Sequence, residues 1–357
     1  MNKCLVTKLN GVCPNDRLLK VGEFRLKVSK VPSPNNKTQG LMLEVSDTIK
    51  LKILGDGYFT DSSLSNNLGK EIYVTNAQNV FFSNGDYDIS ILDKYKICRI
   101  QTGANGVDYV ENDQQNKSFD IDGLKFSKDM ISIDTNSKGV SGNLSSLESL
   151  TKLNKIDIYG SSIYGDISAL RNLTALTFLN IRNTNLSGDI SALQNLTALT
   201  VLNITNTNLS GDISALQNLT ALTSSLNLSA LNIIGDVSAL KGMSKIKEFY
   251  LQNMSIGGDL SQLPDNAIFV SLKNYKGTGF TWTSRPSSAK IIGIEGNPII
   301  LNLDKMLQDL ANCAVGFDST SGQWFKTISV IGSRTSASDS AVSTLQSKGY
   351  TINISTI

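Results

Sequence analysis

Chemistry in this chain has to be done without histidine, which is absent from all 357 residues. That removes Ser-His-Asp and Cys-His catalysis, imidazole general bases and imidazole metal ligands. The remaining soft nucleophiles are Cys4, Cys13, Cys98 and Cys313. None belongs to a C-x-x-C pair, and their spacing suggests neither a zinc site nor a dense disulfide framework. They read as isolated thiols of a reducing compartment. Asp86 and Asp88 sit in a turn-rich strand region and read as solvated. No carboxylate pair has a spacing that demands acid–base work, and no glycine-rich phosphate loop is present. The expectation is a chain that is not an enzyme, with no catalytic residue, metal or cofactor.

The most regular chemical groups are aspartates. Gly-Asp-apolar recurs at Gly165-Asp166-Ile167, Gly188-Asp189-Ile190, Gly211-Asp212-Ile213, Gly235-Asp236-Val237 and Gly258-Asp259-Leu260, at intervals of 23, 23, 24 and 23 residues. Gly142-Asn143-Leu144 extends the series back by another 23. As calcium ligands these carboxylates would need more oxygens close by, and the glycine-rich calcium-repeat pattern is absent. The structural role is expected instead: a short Asp side chain accepts backbone N–H groups where the next turn begins, and Gly supplies a permissive backbone. The N-x-S/T triplets at Asn172, Asn185, Asn195, Asn203, Asn208 and Asn218 read as by-products of the repeat wording rather than glycosylation sites.

The elements that carry these groups follow from the apolar frame. Leu199, Leu202, Ile204, Thr207 and Leu209 spell L-x-x-L-x-I-x-x-T-x-L, and Leu176, Leu179, Ile181, Thr184 and Leu186 repeat it. Apolar residues separated by one put both side chains on one face of a short strand. A single unit has too few apolar side chains to offset the entropy of ordering its backbone, so copies must stack. The ten residues SALQNLTALT occur twice, at Ser191–Thr200 and Ser214–Thr223. This pattern resembles the leucine-rich repeat over roughly residues 130–300. The stretch NLSGDISALQNLTAL is similar to the variant with an L-x-G-x-I step, with Ser-Ala for the usual proline and Thr for the usual ladder asparagine. The extra residue of the 24-residue interval falls near Ser224-Ser225, just before a strand.

The expected fold class is an α/β-type repeat: a leucine-rich repeat solenoid with an N-terminal antiparallel β domain and a βαβ C-terminal cap. The expected domains are 1–125, 126–300 and 301–357. In the first, alternating runs such as Phe24-Leu26-Val28, Ile49-Leu51-Ile53, Ile72–Val74, Val80–Phe82, Ile89–Leu92 and Ile97–Ile100 are separated by turn signals. In the last, Leu303, Met306, Leu307 and Leu310 are spaced for a helix, and Ser336–Lys348 is a second helix with Gly349 at its C-cap. Strand candidates are Ile328-Val330 and Tyr350-Ile352-Ile354.

The binding candidates flank the strand leucines. Asp157, Asn180, Asn203, Asn227 and Tyr250 form one column, and Tyr159, Arg182, Thr205 and Gln252 belong to the next. Lys155, Phe178 and Glu248 lie on the other side. Ile167–Asp189 and Ile190–Asp212 differ only at Arg171/Gln194, Phe178/Val201 and Arg182/Thr205, so core letters stay while open-face letters change. Such amide, hydroxyl and aromatic surfaces suit hydrogen bonding to proteins or sugars.

Net charge is +2, with 18% charged residues, so no global field draws nucleic acid. No stretch approaches the ~20 apolar residues of a membrane span, and the opening apolar run is too short for a secretory signal. The first 30 residues carry seven basic and two acidic side chains. The opening MNKCLVTKLNG and the N-T-x-L-S-G-D-I-S-A-L dialect resemble virion proteins of tailed phages of gut bacteria, including the crAss-like group. That resemblance implies a head fibre, decoration or tail component, made in the host cytoplasm and located in the virion. It implies a homo-oligomer, a trimer among the options, held to other virion proteins through residues 1–125. It would display the concave face to a bacterial surface glycan or protein. The alternative is a cytoplasmic or bacterial-surface recognition module.

Overall fold

The computed structural model describes residues 24–28, 41–45, 49–53, 71–74, 80–81, 87–91, 97–102, 117–126, 130–134, 140–229, 231–316 and 323–356. Up to residue 120 the description is of strand backbones. Cys4, Cys13, Asp86, the basic opening and the turn signals between the early strands lie outside it. The chain divides into two compact units, Met1–Tyr164 and Gly165–Ile357.

The first unit begins with β1 (Phe24–Val28), β2 (Leu41–Val45), β3 (Ile49–Ile53), β4 (Glu71–Val74), β5 (Val80–Phe81), β6 (Tyr87–Ile91) and β7 (Ile97–Thr102). Their mutual pairings are antiparallel: β4 with β3, β3 with β6, β6 with β1, and β2 with both β5 and β7. The sequence reading lacked β2, LMLEV, in which Leu, Met, Leu and Val break the strict alternation. Next come β8 (Lys117–Asp120), β9 (Ser132–Asp134), β10 (Val140–Asn143), β11 (Lys155–Asp157) and β12 (Ser162–Asp166). Here the pairing changes hand. β8 is antiparallel to β1 and parallel to β10, and β7 is antiparallel to β2 and parallel to β9. The antiparallel strands thus supply the edges on which the first parallel rungs, β9–β11 and β10–β12, are templated.

The second unit carries two strands per repeat where the sequence reading had one. The short strands are β13 (Phe178–Asn180), β15 (Val201–Asn203), β17 (Leu226–Asn227), β19 (Glu248–Tyr250), β21 (Phe269–Ser271) and β23 (Gly293–Glu295). The second set is β14 (Asn185–Asp189), β16 (Asn208–Asp212), β18 (Asn232–Asp236), β20 (Ser255–Asp259) and β22 (Phe280–Thr281), running in parallel from β14 to β22. Between the two ladders lie the repeat leucines. Leu179, Ile181, Leu186, Ile190, Leu193, Leu196 and Leu199 are all fully buried, as are their counterparts Ile213, Leu216 and Leu219 one rung on.

The Gly-Asp step does two jobs at once. Each aspartate caps the 3-10 turn that follows it: Ser168 N, Ser191 N, Ser214 N and Ser238 N donate to Asp166, Asp189, Asp212 and Asp236 at 2.7–2.8 Å. Each glycine has φ near +100 to +127, as at Gly188, Gly211, Gly235 and Gly258. A Cβ on Gly211 would also lie 2.8 Å from Oδ1 of Asp189, one rung back. Glycine is therefore required by its backbone angle and by the carboxylate stacked against it. The ladder-position threonines bond within their own turn, Thr184 Oγ1 to Ile181 O at 2.7 Å and Thr207 Oγ1 to Ile204 O at 2.8 Å.

The 24-residue interval leaves a mark. β15 and β17 belong to different sheets, while β16 and β18 pair across the same step. One extra residue before a strand moves its pleat, and the short ladder stops there. It restarts as β17–β19–β21–β23 and runs on into β24 (Thr327–Ile331) and β25 (Thr351–Ser355). The helix α1 spans Leu303–Asn312 and α2 spans Asp339–Ser347, the latter after a 3-10 turn at Ser336–Ser338. Gly349 follows α2 at φ +88, and β24–α2–β25 form the expected βαβ ending. Asp304 of α1 accepts Thr335 N at 3.0 Å and Ser338 Oγ at 2.6 Å, which ties the two helices.

Two predictions follow from the Gly-Asp geometry. Gly211→Ala should destabilise by about 1–3 kcal/mol in chemical denaturation, because φ +127 is strained for alanine and Asp189 must move. Gly242→Ala, whose nearest neighbour would be a Thr220 methyl at 3.2 Å, should stay within about 1 kcal/mol of the parent. Equal effects would mean that the carboxylate–glycine contact is idle.

The second concerns pH. Hydrogen bonds from Ser168 hold the Asp166 carboxyl below the ordinary 3.8, and those from Ser214 do the same for Asp212. A carboxyl lowered in the folded state contributes stability above the ordinary value and loses it as pH falls through the folded one. Thermal midpoints should therefore drop below about pH 4. Asp212→Asn should keep the cap, as Asn143 does for Ser145 N at 2.9 Å, and lose part of that pH slope.

Candidate functional site

The short strands place their outer side chains on either side of a buried isoleucine, leucine or phenylalanine, in the half-buried, buried, half-buried pattern of β11, β13, β15 and β19. In the first unit, Lys155 sits opposite Ser132 and its Nζ meets Asp134 Oδ2 at 2.6 Å. Asp157 sits opposite Asp134, and Tyr159 follows, half-buried, beyond the strand.

In the second unit, Phe178 and Asn180 stand opposite Val201 and Asn203. Arg182 is exposed. Thr205 corrects the expectation of an open-face residue. It is 7% exposed, and its hydroxyl donates to Asn203 Oδ1 at 3.0 Å. Asn227 turns its Oδ1 back to Ser229 N at 3.0 Å. Because the short ladder breaks between β15 and β17, Asn203 and Asn227 are not ladder neighbours.

Three candidates do converge. Tyr250 Oη donates to Glu248 Oε2 at 3.0 Å, and Gln252 Nε2 donates to Ser271 Oγ at 2.8 Å. Ser271 Oγ donates to Glu295 Oε2 at 3.1 Å, and Glu295 Oε1 meets Lys273 Nζ at 2.7 Å. Tyr250, Ser271 and Glu295 are register partners on successive strands. Beside them on the same strand face, Phe269, opposite Glu248, meets the Tyr250 ring edge-on at 5.7 Å and the Phe325 ring at 5.0 Å. Burial, the bond to Glu248 and the charges of Glu248 and Glu295 push the Tyr250 phenol up to about 12.

A phenol that stays protonated at neutral pH donates a hydrogen bond and does not act as a base. Cys313 is 1% exposed, and burial pushes its thiol up, away from thiolate reactivity. Among the described residues no group of three or more Cys, Asp or Glu is placed to hold a metal ion. No helix among them is long and apolar enough to cross a membrane.

Sequence reasoning missed Ser271, Lys273 and Glu295. Their strands were visible as the rungs Ile268-Val270-Leu272 and Ile292-Ile294. The register step from Tyr250 to Ser271 is 21 residues and the next is 24, so a strict 23-residue count from Tyr250 lands on Lys273 and misses its strand partners Ser271 and Glu295. Reading strand centres instead of the period would have found them.

Residues 174–218 match the family described as Leucine Rich repeats (2 copies). No curated protein matches the chain at a significant level. Among solved structures, PEPR1-AtPEP1 is 19% identical over 46% of this chain and 27% of its own, with a TM-score of 0.38. The leucine-rich repeat ectodomain of the Arabidopsis thaliana receptor kinase GASSHO1/SCHENGEN3 is 16% identical over 66% of this chain and 36% of its own, with a TM-score of 0.40. An internalin of Listeria monocytogenes is 20% identical over 74% of this chain and 85% of its own, with a TM-score of 0.39. The chain thus spans about a quarter to a third of the first two structures. The assignment of fold rests on the repeat and the parallel ladders, which form a solenoid-like α/β repeat fold whose residues 174–218 match the leucine-rich repeat model.

Proposed function

We propose that the chain is a non-enzymatic recognition module that binds a protein partner through the short-strand face centred on Tyr250. The observation that carries this reading is the convergence of Glu248, Tyr250, Gln252, Ser271, Lys273 and Glu295 beside the Phe269–Phe325 pair. A half-exposed tyrosine braced by a buried aromatic, with opposite charges around it, has the make-up of a binding hot spot. Its rotamer is already held by Glu248, so little freedom is lost on binding.

At a finer level, we place this module on a phage particle, as a head fibre, decoration or tail component. Residues 1–125 serve as its anchor, and the chain is a homo-oligomer. The support is the wording of the opening residues and of the repeat. Mass spectrometry of purified particles against host lysate separates this from a cytoplasmic module: enrichment in particles is expected, and recovery only in the lysate would overturn it.

For the face itself, a random peptide library panned against the chain should yield binders that a Tyr250→Ala, Gln252→Ala double variant loses by about tenfold or more. Ser271→Ala removes a fully buried hydroxyl and should cost about 1 kcal/mol of stability without abolishing the fold. Peptides retained equally by the parent and the double variant would place recognition elsewhere. Retention of glycans in place of peptides would make the partner a sugar.

A further inference from the structure

The short ladder of the second unit ends on β25, and this strand differs from those inside the ladder. Ile352 and Ile354 stand opposite Ile328 and Val330 of β24. Ile328 and Val330 are fully buried, while Ile352 and Ile354 are only half-buried. They occupy core positions for which, among the described residues, no further strand supplies a cover.

The backbone is open on the same side. Gly332 N donates to Ser355 O at 2.9 Å, so the Ser355 carbonyl points at β24. Successive residues of a strand turn their N–H and C=O groups to opposite sides, so Thr351, Asn353 and Ser355 face β24 and the N–H and C=O of Ile352 and Ile354 face away from it. Natural edge strands are guarded by lysine, proline or a bulge. β25 carries none of these. Its register with β24 runs without a break, and no charged residue lies between Gly349 and Ile357.

The pattern of the strand selects its occupant. Thr-Ile-Asn-Ile-Ser has the same chemistry in either direction: hydroxyl, isoleucine, amide, isoleucine, hydroxyl. Laid antiparallel on a second copy, with a two-fold axis at Asn353, it sets Thr351 opposite Ser355, Ile352 opposite Ile354 and Asn353 opposite itself. The residues whose backbone groups face outward, Ile352 and Ile354, are symmetric about the same centre. Each then exchanges both hydrogen bonds with its opposite number, and every outward group of the two is paired. Their side chains meet across the axis on the core face, where a further rung would lie. A closed two-fold contact needs this self-complementarity. Two uncharged strands bring no like charges together, and a net charge of +2 on the whole chain adds little repulsion.

We propose that β25 is a self-pairing edge: two copies of the chain join through an antiparallel β25–β25 contact, and the short ladder runs on through the two-fold axis as one sheet. This goes beyond the homo-oligomer of the proposed function by assigning an interface, which uses neither residues 1–125 nor the Tyr250 face. A strand pairing this short should associate with a dissociation constant of about 1–100 μM.

The test is sedimentation velocity on the full chain from about 1 to 300 μM, a range that brackets this affinity. Charge variants are made at Thr351 and Ser355, both exposed. The parent should double its mass reversibly as concentration rises. If residues 1–125 also hold copies together, the doubling starts from that oligomer. Thr351→Lys with Ser355→Lys sets lysine opposite lysine across the axis and should weaken the doubling by about fivefold or more. Thr351→Lys with Ser355→Glu sets lysine opposite glutamate and should restore it. Peptides selected on the Tyr250 face should bind both variants as they bind the parent, so failure of the β25 contact and failure of that reading are told apart. A parent whose mass exceeds that of the lysine–lysine variant at no concentration, or equal association by the lysine–lysine and lysine–glutamate variants, would overturn the proposal.

Discussion

A rung of this chain has no complete inside of its own. Its strand leucines are covered only when another rung lies against them, and its strand N–H and C=O groups are paired only by the neighbouring strand. Everything regular in the second unit follows from that dependence. The Gly-Asp step shows it at atomic scale. An aspartate caps its own 3-10 turn through one oxygen and rests its carboxylate where the next rung's glycine has no side chain. One rung supplies the carboxylate and the following rung supplies the gap, so neither letter can be understood from a single copy.

The same dependence makes the ends and the irregular steps the informative places. At the start of the ladders, β7 and β8 each carry an antiparallel partner on one side and a parallel partner on the other, which converts one kind of sheet into the other without an open edge. In the second unit β24 and β25 extend the short ladder beyond β23, with α2 packed on β25. Between them, the single added residue near Ser224-Ser225 interrupts the short ladder while the second ladder continues. The interruption stays local because Leu226 and Leu228 keep their places in the core.

Side-chain networks concentrate where repetition gives way. In the copies from Ile167 to Asp212, like groups meet across the repeat, as Asn206 Nδ2 donates to Asn183 Oδ1 at 2.9 Å, and Thr205 bonds Asn203 within its own copy. From β19 onward the rungs differ from one another, and there side chains of unlike chemistry meet: phenol with carboxylate, amide with hydroxyl, ammonium with carboxylate. The buried Arg285 is a product of the same loss of regularity. It holds an altered turn through five carbonyl contacts and needs no carboxylate bonded to it.

The sequence by itself determined the period, the inward leucines, the capping aspartates with their permissive glycines, and the helices and strands of the ending. All of these depend on local geometry: a spacing of two for strands, of three and four for helices, and a side chain that reaches its own backbone two residues on. Tertiary structure alone decided that each repeat holds a second strand, that Thr205 turns inward, and that Ser271, Lys273 and Glu295 join Tyr250. Those outcomes depend on which residue of another rung arrives opposite. An uneven count of 21, 24 or 23 residues sets that meeting, and neither rung encodes it alone.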